Sequence, residues 1–448
     1  MFDRLPGFRD LYPEDCARRN MLFRAWAHAA RRYGFLEYTP PTLEPLELFT
    51  EKSGPEIVSQ LFNFTDKGGR AVSLRPELTP SLARMVGARA NSLKRPIKWF
   101  NLGENFRYEK QQKGRLRCFY QFNADILGEA GAGADAELIG LCVESLVALG
   151  LTAKDFVVRL SDRDLWIAYL AALGHEGEQA LGILGVIDKR ERLGEEAVRA
   201  QLAPYFGDAT EDFLAQVEAL TALDSLAAVR AYLPAQAPTA ETRARLEARL
   251  GEWQRLFDAL EAFGLADYLR LDLGIVRGLA YYTGFVFEVF ELEDGRTTGR
   301  ALAGGGRYDH LVEKLGYTAL PACGFAIGDV TVSDLLDKKG LFPSVMTGPD
   351  VFVVLGAGEA EAKAAWTAVA ALRRSGLAVD YPLKATGFGK QFKAASQSGA
   401  RLAVIFGEAE VARAAAKVKD LASGGETEVP AAHLVAAVQS MLEDGLPA

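Results

Sequence analysis

The sequence is poor in metal ligands and thiols. Its four cysteines (Cys16, Cys118, Cys142 and Cys323) form no C-x-x-C pair, and its four histidines (His28, His175, His310 and His433) have no ligand spacing. Structural zinc and a disulfide framework are therefore not expected. No apolar run reaches the ~20 residues of a membrane span, and the first ten residues, "MFDRLPGFRD", carry four charges where a signal peptide would be apolar. The expectation is a reduced, cytoplasmic, soluble protein with no membrane contact. There is no G-x-x-x-x-G-K-[ST], which excludes P-loop chemistry. Positive charge is also in deficit, with 51 Lys and Arg against 59 Asp and Glu and a formal net charge of -8 over 448 residues. Such a chain does not coat nucleic acid electrostatically, so any polyanion must be held by local cationic patches.

One such patch stands out. "NFRYEKQQKGRLRCFYQFNAD", Asn105 to Asp125, puts Arg107, Lys110, Lys113, Arg115 and Arg117 within eleven positions. The β-rich runs "IKWFNLGENFRYE" and "CFYQFNADILG" flank it, which predicts a long hairpin with the charge at its tip. If Arg107 and Glu109 lie on a strand, period-two alternation turns both to one face. A lone R-x-E is ordinarily a surface ion pair, but this one has company. Arg75 and Glu77 repeat the pattern in "LRPELTP", Gln121 and Asp125 lie on the second strand of the hairpin, and Arg277 stands beside two tyrosines in "VRGLAYYTG". Guanidinium groups grip phosphate oxygens bidentately and stay charged at any working pH, so arginines can hold a triphosphate without a Walker loop. "GGGRYD" reads either as a tight turn or as a place where a small ligand approaches backbone closely.

The length suits roughly three domains. Leu22, Trp26 and Ala29 share one helical face in a segment ending at Gly34. Between 165 and 265 helical spacing takes over, as in Phe213, Val217 and Leu220 or Leu246, Leu250, Trp253, Phe257 and Leu260, which predicts a helical insertion. Past the Gly/Pro-bearing "KKGLFPSVMTGPD", strands alternate with helices ("VFVVLG", "LAVDY", "RLAVIFG"), the signature of a small parallel α/β domain over residues 350–448. Residues 1–335 then form the larger domain, with the insertion inside it.

The ordered set "RPELTP", "FRYEKQQKGRLRCFYQF", "IVRGLAYYTGFVFE" and "AGGGRYDHLVEKLG" resembles the histidyl-tRNA synthetase family of class II aminoacyl-tRNA synthetases over nearly the whole chain. The C-terminal "VFVVLG" to "RLAVIFGEAE" is similar to the family's anticodon-binding domain, and "RGLAYY" sets the histidine enzyme apart from class II relatives for threonine, proline or glycine. The resemblance implies an α/β protein whose α+β catalytic domain is built on a class II antiparallel sheet with helices. It implies ATP, Mg2+, L-histidine and tRNA(His) as ligands, and a homodimer through motif 1, where Pro41 stands in "TPPTLE".

The same resemblance assigns roles. Arg107 would contact the ATP α-phosphate and the histidine carboxylate, Glu109 the adenine amino group, and Arg115 the outer phosphates, with Arg307 as a further ATP candidate. Glu77 and Thr79 match positions around the substrate's α-ammonium, with Gln121 nearby, while Asp125, Tyr281 and Tyr282 match those around the imidazole. Arg277 matches the family's catalytic arginine at the α-phosphate and, like Arg107, is counted among the residues around histidine. The chemistry agrees: a carboxylate attacking a triphosphate needs fixed cations, and its nucleophile belongs to the substrate.

Three positions depart from the family pattern. Ala280 stands where Asp commonly precedes the paired tyrosines, Asp125 is one methylene shorter than the usual Glu, and Thr331 in "GFAIGDVTVSDLL" takes the place of the motif 3 arginine. The last pattern resembles the plant-organelle branch of the family. The rival reading is a catalytically silent paralogue, a histidine-binding regulatory subunit of ATP phosphoribosyltransferase. That paralogue typically lacks the anticodon-binding domain and loses catalytic arginines, whereas this chain keeps Arg107, Arg277 and the domain.

Overall fold

A computed structural model describes residues 2–50, 59–109, 114–190, 193–276, 281–342, 348–384 and 386–443. The chain divides into two compact units, residues 1–11 with 18–342, and residues 12–17 with 343–448.

The larger unit is organised by an eight-stranded sheet. Its strands are β1 (Leu36–Glu37), β5 (Ile97–Phe106), β6 (Cys118–Leu127), β7 (Phe156–Asp162), β8 (Leu269–Leu271), β9 (Thr283–Glu293), β10 (Arg296–Arg307) and β11 (Ala322–Gly328). Their spatial order is β1-β5-β6-β11-β10-β9-β7-β8. The strands within pair antiparallel, and only the short edge strands β1 and β8 run parallel to their neighbours. Three further strands, β2 (Leu43–Pro45), β3 (Asn63–Thr65) and β4 (Ala71–Leu74), make a small separate sheet. The expected hairpin is β5 with β6, in unbroken register from Ile97 opposite Leu127 to Phe106 opposite Cys118.

Helix α1 (Pro13–Arg32) buries Leu22, Trp26 and Ala29, and the Trp26 indole stacks on Phe122 of β6 at 5.8 Å. Gly34 follows with φ of +76°, a left-handed reversal that costs glycine little. Other short or packing helices of this unit are α2 (Glu47–Thr50), α3 (Thr79–Gly87) and α4 (Ala132–Val147). The helical insertion runs through α5 (Arg163–Ala172), α6 (Gly177–Lys189), α7 (Glu195–Phe206), α8 (Thr210–Thr221), α9 (Leu226–Tyr232) and α10 (Ala240–Ala262). Asp162, the last residue of β7, starts it by accepting from the backbone N–H groups of Asp164 and Leu165, which satisfies donors that a helix N-terminus leaves free. On α10, Leu246, Leu250, Trp253 and Leu260 are buried as the spacing predicts. Leu256 joins them, while Phe257 is only partly covered. The unit closes with α11 (Leu311–Lys314) and α12 (Asp329–Lys339), four residues beyond the expected boundary at 335.

The smaller unit corrects one expectation. Strands β12 (Val351–Leu355), β13 (Val379–Asp380) and β14 (Leu402–Phe406) are parallel, but β15 (Ala415–Asp420) and β16 (Glu426–Pro430) extend the sheet antiparallel, giving the order β13-β12-β14-β15-β16. Parallel neighbours need a crossover of about a dozen residues or more, and the link from Phe406 to Ala415, even with its single turn of helix, is too short to supply one. Only a short turn separates Asp420 from Glu426, so these two strands must reverse. Helices α13 (Glu359–Arg374), α14 (Phe388–Gln397), α15 (Glu408–Ala412) and α16 (Leu434–Glu443) complete this unit.

Candidate active site

The site is built on the face of the large sheet where β6 lies beside β11. Gln121 and Asp125 sit four residues apart on β6 and share a face. Gly324 of β11 pairs with Asp125 across the ladder. A Cβ on Gly324 would lie 1.9 Å from the Asp125 Oδ1, so the glycine is what leaves room for the carboxylate. Asp125 is 2% exposed. Its Oδ1 accepts a 2.7 Å hydrogen bond from the Tyr308 hydroxyl, and its Oδ2 has no partner among the described residues. Burial pushes the carboxyl up to about 7, and the Tyr308 bond only partly offsets that.

From Tyr308 the site continues through aromatic contacts. The Tyr281 ring lies 6.1 Å from Tyr308 and 5.3 Å from Tyr282. The Tyr281 hydroxyl donates to Glu77 Oε2 at 2.6 Å, and Thr79 also hydrogen-bonds this phenol. Burial and the nearby Glu77 charge hold the Tyr281 phenol protonated, well above its usual range. Two carboxylates and three tyrosines from four sequence segments thus form one buried polar wall. An unpaired acceptor in such surroundings costs free energy unless a ligand donates to it. Nearby, Gln121 Oε1 accepts from Asn105 Nδ2 at 2.8 Å, and the buried Asn105 Oδ1 has no partner among the described residues.

The cationic rim is arranged differently from the expectation. Strand β5 ends at Phe106 and β4 at Leu74, so both R-x-E pairs lie in the chain just past a strand and alternation does not set their faces. Arg75 is buried and donates to the carbonyls of Glu104 (2.8 Å), Pro40 (3.0 Å) and Pro41 (3.5 Å), so it pins backbone and does not pair with Glu77. Pro41 itself is exposed. Arg107 Nε donates to the Pro76 carbonyl at 3.0 Å, and its guanidinium lies 5.5 Å over the Phe119 ring. The terminal nitrogens of Arg107 have no partner among the described residues. Glu109 and Arg115 form a 2.8 Å ion pair, the arginine half exposed and the glutamate mostly covered.

Arg307 does not face the site. It is 4% exposed and spends all three guanidinium nitrogens on Asp135, Asp309 and the carbonyls of Glu129 and Gly131. Burial works against its charge, but Asp135 at 2.5 Å outweighs that and holds the guanidinium charged. The expected ATP contact is therefore corrected to a buried ion pair, including the bond to Asp309 at 3.2 Å. The neighbour, Tyr308, reaches Asp125 instead. Sequence reasoning missed Tyr308, which stands just past the end of β10, where alternation no longer predicts a side chain's direction. It also missed Asp329, a buried carboxylate at the first residue of α12 that accepts from Arg9 at 2.6 Å and from the Tyr120 backbone N–H at 2.9 Å. Arg277, Ala280, Lys110 and Lys113 lie outside the described residues.

Among the described residues no three His, Cys, Asp or Glu side chains gather to hold a metal ion, and no helix is long and apolar enough to cross a membrane. The family model for histidyl-tRNA synthetase matches residues 7–331, and that for an anticodon binding domain matches residues 350–441. A histidine–tRNA ligase of Opitutus terrae is 51% identical over 443 residues, covering 99% of this chain and 98% of that protein. The crystal structure of histidyl-tRNA synthetase from Nostoc sp. PCC 7120 superposes with a TM-score of 0.79 at 25% identity, covering 98% of this chain and 99% of that one. An ATP phosphoribosyltransferase regulatory subunit/histidyl-tRNA synthetase from Bacillus halodurans shares the fold, with a TM-score of 0.72 at 22% identity over 91% of this chain and 98% of its own. The chain belongs to the histidyl-tRNA synthetase family, the ATP-dependent histidine–tRNA ligases.

Proposed function

We propose that the buried wall around Asp125, Tyr308, Tyr281 and Glu77 is the L-histidine pocket of a ligase that forms histidyl-adenylate and passes it to the 3′ end of tRNA(His). The observation that carries this is the unpartnered Asp125 Oδ2 in a 2%-exposed position, an acceptor suited to one imidazole N–H. Tyr281 and Tyr282 border the ring, while Glu77, Thr79 and Gln121 offer acceptors to the α-ammonium. Arg107, with terminal nitrogens to spare, draws the histidine carboxylate and the ATP α-phosphate together, and Arg277 supplies the second cation. The carboxylate oxygen bonds to the α-phosphorus as the bond from that phosphorus to the bridging oxygen breaks, and pyrophosphate leaves with the electron pair. Charge growing on phosphate oxygens is stabilised by cations already held in position. In this reading Glu109 accepts from the adenine amino group and Arg115 holds the outer phosphates, so ATP must replace the Glu109–Arg115 ion pair with its own contacts.

Magnesium accompanies ATP in this reading and screens the phosphates. With no ligand cluster among the described residues, the phosphates themselves would supply most of its coordination. A homodimer, a cytoplasmic site of action and recognition of the tRNA(His) anticodon by residues 350–448 complete the reading; sedimentation of the full chain tests the dimer. The silent regulatory paralogue has less support, because the similarity to a ligase extends over 99% of the chain and includes the anticodon-binding segment. ATP–pyrophosphate exchange measured over a panel of amino acids is the test. Exchange with histidine alone is the expected result, and none with any amino acid sinks the ligase reading in favour of the paralogue.

A further inference from the structure

Thr331 stands in the first turn of α12 and is half-buried, with no charge to offer the outer phosphates. The adjacent strand supplies one. Between Thr298 and Ala303 the pairing of β10 with β9 shifts register: five steps along β10 answer two along β9. Gly299, at φ of +70°, opens this irregular stretch, and Arg300 follows it. The Arg300 side chain runs to the base of the cationic hairpin tip. A Cβ built on Gly114 would lie 3.5 Å from Arg300 Cδ, 3.8 Å from Thr331 Cγ2 and 3.9 Å from Arg300 Nε. Arg300, Thr331 and the residue before Arg115 therefore converge on one spot. A threonine methyl is short, and the guanidinium stem from β10 comes alongside it.

Electrostatics in the same corner favours an added cation for an anion, not for the protein's own carboxylate at the head of α12. Asp329 there is already neutralised by Arg9 and capped by the Tyr120 N–H. Arg115, next in sequence to Gly114, is the residue assigned above to the outer phosphates. Arg300 takes part in an interaction of its own in this structure, so its engagement with ATP is an exchange of partners, as it is for Arg115.

We infer that Arg300, reaching from the β10 irregularity past Thr331 to Gly114, is a binding residue for the β- and γ-phosphates of ATP. It supplies from the neighbouring strand the charge that Thr331 does not. This rests on the ligase reading. A guanidinium suits the task because it stays charged and grips two oxygens at once.

The test uses the full chain with Arg300→Gln, which removes the charge and keeps much of the volume, and Arg300→Lys. Equilibrium binding of ATP and of AMP, each with magnesium, reads the contact without requiring turnover. Arg300→Gln is expected to weaken ATP about tenfold or more, one charged contact's worth. AMP binding and the histidine KM in pyrophosphate exchange should stay put, and Arg300→Lys should fall between. Adding Thr331→Arg to Arg300→Gln should recover part of the ATP affinity. Unchanged ATP affinity in Arg300→Gln, or equal losses for ATP and AMP, would overturn the inference and leave Arg300 as packing against Gly114. Failure of the parent reading looks different: the unmodified chain would show no histidine-dependent exchange while still reporting on ATP and AMP binding.

Discussion

The Asp125 carboxyl accepts a 2.7 Å hydrogen bond from Tyr308, 183 residues away in sequence, and its other oxygen is buried without a partner among the described residues. The bond favours the carboxylate, yet burial dominates and raises the group from the usual carboxylate range to about 7. Between about pH 4 and that value the unfolded chain carries the charge and the folded chain keeps the proton. Stability from this group is thus fully present below the lower value and is lost as pH rises through the upper one, an effect on the order of a few kcal/mol. Asparagine cannot titrate. Asp125→Asn should therefore raise the melting temperature relative to the parent more at pH 8 than at pH 5, while weakening histidine binding. A melting difference that stays flat between the two pH values would contradict the burial argument.

Arg115 and Glu109 neutralise one another at 2.8 Å, and each is assigned a different part of ATP. Two outcomes of Arg115→Ala are separable. If the arginine does nothing but occupy Glu109, its removal frees the glutamate for adenine and the ATP KM falls. If it holds phosphates, the KM rises, and a rise of about tenfold or more is expected from one charged contact. Pyrophosphate exchange at several magnesium concentrations checks which sign applies.

Arg307 stands in a glycine-rich motif yet is buried in an ion pair. Its buried ion pair with Asp135 predicts a structural penalty: removing one partner strands the other's charge, at a cost of about 3–5 kcal/mol. Arg307→Ala should lower the melting midpoint by several degrees. Its residual folded fraction should bind ATP as the parent does. A variant with an unchanged melting curve and a weakened ATP interaction would reverse the assignment.

What the sequence made legible was mostly local. Leu22 and Trp26 announced the buried face of α1, the run from Leu246 to Leu260 announced α10, and two β-rich segments announced the β5–β6 hairpin, because each signal repeats within a few residues. Strand ends were not legible. "NFRYE" keeps its β character past Phe106, so Arg107 and Glu109 read as strand although they have left it. Strands β15 and β16 read as polar chain, because β15 carries Lys417, Lys419 and Asp420 among only a few apolar residues and the edge strand β16 opens with the exposed run Glu426, Thr427 and Glu428. Of the site, Tyr281, Tyr282, Glu77 and Asp125 match assigned positions in family motifs, whereas the resemblance assigns Tyr308 no role. That Asp125 meets Tyr308, and that Gly324 makes the space between β6 and β11, are cross-strand facts that no single segment encodes.

The division into two compact units gives the last prediction. The residues assigned to adenylation, from Glu77 to Tyr308, all lie in the larger unit, whereas the smaller has its own cores around Val353 and Val404 and around Val354 and Ile405. A unit with its own core can be removed without exposing the other's interior sheet. A chain ending near residue 342 should therefore keep most of its histidine-dependent pyrophosphate exchange while losing aminoacylation of tRNA(His) by at least about tenfold, as expected when a whole RNA-binding surface is lost. Measuring both activities on the same preparation separates a tRNA-binding role from a bracing role. Parallel loss of exchange and aminoacylation would show that residues 350–448 support the catalytic unit and do not simply grip the anticodon.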